Sequence, residues 1–189
     1  VSGRMSRRML AVVAGVVVVA LGLLGAWRWG PFGENEAVPS CSELAEALPS
    51  VVEGTWTLTR AEPNRESSKS LVNCEYDFSS ADRSYTGTIA VSLTQSDDEA
   101  YLRQTATEGP CNGEAVPYPS AAEYRVARSC VEKINEKIFA GVFVASDVRY
   151  AHVYADFSNP GAAVEQVVAY ANTSAQRITD RAMTLTSTD

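Results

Sequence analysis

The stretch Tyr85-Thr86-Gly87-Thr88-Ile89-Ala90-Val91-Ser92-Leu93 puts Ile89, Val91 and Leu93 on one side of an extended chain. Thr86, Thr88, Ala90 and Ser92 fall on the other side. A period of two with one apolar side is the pattern of a half-buried strand. Leu71 to Phe78 repeats it, with Val72, Cys74, Tyr76 and Phe78 together, and Thr55-Trp56-Thr57-Leu58-Thr59 alternates in the same way. Ile138 to Val144 and Arg149 to Phe157 predict two further strands, joined as a hairpin around Ser146-Asp147.

Helical signals flank these strands. Ser40-Cys41-Ser42-Glu43 has capping-box spacing and predicts a helix over 41–48, closed by Pro49. Ser96-Asp97-Asp98-Glu99 predicts a second, ending near Glu108. Asn159-Pro160-Gly161 opens a last helix, in which Val164, Val167, Val168, Ala171, Ala175, Ile178, Ala182 and Leu185 follow helical spacing. Between the second helix and the fourth strand lies a loop from Cys111 to Cys130, with a short helical turn expected at Ser120-Ala121-Ala122-Glu123. Adjacent strands with short connections imply an α+β fold, a mainly antiparallel sheet of about five strands with helices packed on it.

Residues 9–27 carry no charge, and nineteen residues at ~1.5 Å each reach ~28 Å, about one hydrocarbon core. Arg4, Arg7 and Arg8 precede this run and Trp27-Arg28-Trp29 follows it, the flanks of a membrane anchor with a cytoplasmic N-terminus. The expected organisation is a cytoplasmic N-terminus at 1–8, one transmembrane helix at 9–29, a linker at 30–40 and an extracytoplasmic α+β domain at 41–189. A cleaved signal is the alternative, but Leu24-Gly25-Ala26 offers a large residue where cleavage wants a small one. Cys41 lies too far beyond the run to be a lipidation site. Ala11, Gly15, Gly22 and Ala26 fall near one helical face, where a second membrane helix can approach.

The expected domain has 21 acidic and 12 basic residues, so nucleic acid is not expected as a partner. Its four cysteines, Cys41, Cys74, Cys111 and Cys130, all lie beyond the membrane segment. An even count in an oxidising compartment points to two disulfides. Four cysteines allow three pairings, and the sequential one, Cys41–Cys74 with Cys111–Cys130, is favoured. There is no Cys-x-x-Cys and a single histidine, so neither a metal nor a cofactor is expected.

Two motifs carry a resemblance: Cys41-Ser42-Glu43-Leu44 at the start of the first helix, and Cys74-Glu75-Tyr76 on a strand. Across about residues 41–95 the chain resembles small actinobacterial-type cell-envelope domains of unknown function, many of them lipoproteins. The resemblance implies an envelope location and supports the first disulfide. It brings no catalytic residues.

His152 shares a strand face with Tyr150, Tyr154 and Asp156, opposite the apolar Ala151, Val153, Ala155 and Phe157. That polar face reads as one half-covered by a loop. Asp97, Asp98 and Glu99 are explained by the helix dipole they complement. The loop from Cys111 to Cys130 is the candidate binding element, because Tyr118, Tyr124, Arg125 and Arg128 are residue types common at interaction hot spots. The expected function is a membrane-anchored extracytoplasmic binding or accessory domain of the bacterial envelope, with a possible protein partner in the envelope or membrane. Two alternatives stay open: a structural subunit contacting partners through its membrane helix, and a carboxylate-dependent envelope hydrolase. No catalytic residue is identified.

Overall fold

The computed structural model describes residues 38–66, 69–134 and 137–187. Helix α1 (Cys41–Ala47) precedes strands β1 (Gly54–Glu66), β2 (Lys69–Ser80) and β3 (Thr86–Ser96). Helix α2 (Glu99–Glu108) leads to β4 (Glu114–Ala115), β5 (Val126–Ile134), β6 (Lys137–Ala145), β7 (Arg149–Ser158) and the long helix α3 (Val164–Thr184). The class is α+β, and the sheet is antiparallel with the order β1-β2-β3-β7-β6-β5-β4. Two meanders meet where β3 lies beside β7, with Val91 opposite Val153.

The sheet has seven strands rather than about five. The additions are β4, inside the stretch expected to be a loop up to Cys130, and β5, which begins in it. In β5 the register sets Arg128 and Cys130 opposite Phe143 and Gly141 on one face. Ala127, Ser129 and Val131 take the other face. Neither set is uniformly apolar or polar, so the alternation that marks the other strands is hidden here. β4 is two residues long and pairs only with Val131 and Cys130.

One sheet face holds the main core. Val72, Cys74, Tyr76 and Phe78 of β2 join Ile89, Val91 and Leu93 of β3, with the inward residues of β6 and β7, under α1 and α3. Ala140, Ala151 and Ala155 on the sheet and Ala171, Ala175 and Ala182 on α3 are fully buried. Small residues on both surfaces let the helix lie close to the strands. On the opposite face α2 buries Leu102 and Ala106 against Ala145 and Tyr150. Gly109, just after α2, passes over the Phe143 ring so closely that a Cβ there would collide with it.

The helix starts differ in detail from their sequence signals. α1 begins as expected, with Ser40 and Glu43 forming a reciprocal capping box. The N-cap of α2 is Asp98, whose carboxylate accepts from the Tyr101 N–H at 3.0 Å. Ser96 sits two residues earlier and accepts from the Asp98 N–H instead. α3 starts at Val164, because Asn159 Oδ1 accepts from the Gly161 N–H and closes a turn ahead of the helix. Ser120 to Glu123 falls within a 3₁₀ turn, Pro119–Glu123.

Two disulfides are formed, Cys41–Cys74 and Cys111–Cys130. The first ties α1 to β2, and the Tyr76 hydroxyl donates to the Cys41 carbonyl at 2.7 Å beside it. Among the described residues no helix is long and apolar enough to cross a membrane. The expected anchor at 9–29, with Ala11, Gly15, Gly22 and Ala26, lies outside the described residues.

Candidate functional site

The structure distributes the four loop residues between two sheet faces. Tyr118 and Tyr124 flank the 3₁₀ turn, and their hydroxyls both donate to Asp180 Oδ1 on α3, at 2.5 and 2.7 Å. Ser120 Oγ donates to Asp180 Oδ2 at 2.8 Å. Burial pushes both phenols well above the ordinary tyrosine range, and the hydrogen bond to Asp180 adds to it. Arg125 immediately precedes β5 and makes two bonds to Asp147, at 2.6 and 2.9 Å, in solvent. Arg128 points to the other face, where its guanidinium donates to the Thr107 and Gly109 carbonyls and lies 5.9 Å from the Phe143 ring centre. It satisfies carbonyls that the end of α2 leaves open. Tyr118 and Tyr124 are brought together, Arg125 stands at the surface, and Arg128 serves a helix end.

A broader concave surface lies elsewhere. A groove of about 870 Å³ runs between residues 50–53, the β2–β3 turn at 80–85, and the outer side of α3. Its aromatic wall is the pair Tyr85 and Tyr170, stacked with ring centres 3.8 Å apart and 7° between planes. Tyr170 also meets Phe157 edge-on at 5.2 Å, which anchors the pair to the core. Burial raises the Tyr170 pKa.

The turn that carries Tyr85 is held by Asp82. Its Oδ1 accepts from Ser80 Oγ at 2.6 Å, from the Ser84 N–H at 3.0 Å and from Ser84 Oγ at 2.7 Å. The Ser80 hydroxyl, then the Ser84 groups, lower the Asp82 pKa to about 2. Across the groove, Gln166 Oε1 accepts from the Ala163 N–H at 3.2 Å. Glu53, Thr173 and Arg177 are exposed lining residues whose side chains have no partner among the described residues.

Three segments far apart in sequence build this groove, and none carries a local motif. The turn-forming Ser80-Ala81-Asp82-Arg83-Ser84 cluster hints only at a connection.

A smaller pocket of about 310 Å³ lies on the α2 side of the sheet, beside the Cys111–Cys130 disulfide. Asn112, Glu132, Phe139, His152 and Tyr154 line it. The His152 ring stacks on Phe143 at 4.2 Å and 14°, and its buried Nε2 has no partner among the described residues. Burial lowers its pKa to about 4, which keeps the imidazole neutral at neutral pH. The Tyr150-His152-Tyr154-Asp156 face is therefore covered at the Tyr150 end and half-open towards Asp156.

Among the described residues no group of three His, Cys, Asp or Glu side chains is placed to hold a metal ion. Compared with protein-family models, with curated proteins and with solved structures, the chain finds no match.

Proposed function

We propose that this chain is a single-pass bacterial envelope protein whose exported domain binds an envelope component through the groove between α3 and the β2–β3 turn. The observation that carries this reading is the groove itself. Glu53, Thr173 and Arg177 stand in it with no partner among the described residues, beside a stacked tyrosine pair fixed to the core. Concave surfaces that combine aromatic area with a few unsatisfied polar groups are where ligands bind. Two disulfides fit an oxidising compartment, and the uncharged run at 9–27 fits an anchor delivering the domain there.

In this reading the loop from Cys111 is a strap. Asp180 draws Tyr118, Ser120 and Tyr124 onto α3, and the disulfide fixes the loop's other end to β5. Arg125 remains at the surface, on the rim of the strap.

A photo-crosslinking residue introduced at Thr173, in the full-length protein in its native membrane, tests the reading. A control at Thr59 on the edge strand β1 reports background. A discrete adduct from position 173 that is absent from position 59 is expected. Equal labelling from both positions, or none from either, would refute the groove as the binding surface.

A further inference from the structure

The polar groups in the groove also restrict what can fill it. We infer that the groove takes a neutral, hydroxyl-rich ligand, a short saccharide, seated on the Tyr85–Tyr170 pair; the inference rests on the groove being the binding surface.

Charge argues first against anions. Among the described residues Arg177 is the single cation of the lining, which also holds two carboxylates, Glu53 and Asp82. A phosphate or polyanion would meet a net negative wall. Asp82 is already held by three donors. All three reach Oδ1, which is thereby committed to the turn, while Oδ2 and the Glu53 carboxylate remain as acceptors. An acyl chain fits no better, since each of the three walls presents hydroxyl, amide or charged groups.

The positive argument is the pairing of donors with acceptors around aromatic area. Arg177 offers a planar fork of N–H donors, which matches two adjacent hydroxyl oxygens. Glu53 offers two acceptor oxygens for hydroxyl donors. Thr173 does both, and the Gln166 NH2 group has no partner among the described residues. Saccharides carry a donor and an acceptor at almost every carbon, and the C–H face of a pyranose stacks on an aromatic ring. Tyrosine supplies such a face with a polar tip. About 870 Å³ is room for more than one sugar unit.

The test uses the full-length protein in a non-glycosidic detergent, titrated calorimetrically with N-acetylglucosamine tetramer and with maltotetraose. Inorganic phosphate and tetra-alanine are the comparison probes. Saturable binding of at least one saccharide is expected, with neither comparison probe binding. Arg177→Ala and Glu53→Gln should each weaken it roughly tenfold, the effect of losing one charge-assisted hydrogen bond. Both side chains are exposed, so unfolding midpoints should not move.

Absence of saccharide binding up to about 10 mM, or saccharide binding indifferent to both variants, would overturn the inference. Preferential binding of phosphate or tetra-alanine would do the same. A groove-specific adduct from position 173 without saccharide binding would leave the binding surface in place and replace only the ligand class.

Discussion

Asp180 is the residue that decides how the strap behaves. It accepts three hydroxyls from one short segment, with no charged partner in that cluster among the described residues. Asp180→Ala leaves those hydroxyls without their acceptor and should cost about 1–3 kcal/mol in urea unfolding. Proteolysis should then begin within residues 117–124. His152 sets a second expectation. Its folded pKa of about 4 lies below the ordinary 6.5, so between those values the unfolded chain binds a proton that the folded chain refuses. Stability should therefore fall as the pH drops from about 6.5 towards 4, and His152→Leu should flatten that fall in thermal unfolding. Asp82 acts in a separate window, since its pKa of about 2 lies below the ordinary 3.8 and its contribution is lost only under that value.

At the scale of elements, legibility followed the contrast between faces. β3 and β7 alternate cleanly and were readable, as was α3 with its apolar stripe. β5 was not, because Arg128 occupies a position on the α2 face where its stem packs and its guanidinium caps a helix. The same long-range capping recurs at α3, whose terminal carbonyls at Met183 and Leu185 accept from Arg149, a buried residue of β7. Such caps come from distant strands, and no local pattern announces them. The β2–β3 turn holds Arg83 at a φ of 59°, the left-handed region that glycine occupies without strain. Arg83→Gly should raise stability by roughly 1 kcal/mol, measured by thermal unfolding, whereas Arg83→Val should lower it.

For the whole molecule, the disulfides link the scaffold to the groove. Cys41–Cys74 ties α1 to β2, and the chain leaving α1 becomes the groove wall at 50–53. Removing it with Cys41→Ser and Cys74→Ser should cost about 3–4 kcal/mol, given the 33-residue separation, and should loosen that wall. The sequential pairing was open to sequence reasoning because few cysteines leave few pairings. The groove was not, since Glu53, Tyr85 and Arg177 converge only once the sheet has closed over α3. The central claim is that the groove, and not the strap, is the binding surface. Amide hydrogen exchange of the full-length protein in native membranes, compared with the purified protein, tests it most directly. The account predicts extra protection in membranes at 50–53 and 80–85, with no change at 111–124. Extra protection at 111–124 with none at the groove walls would contradict it.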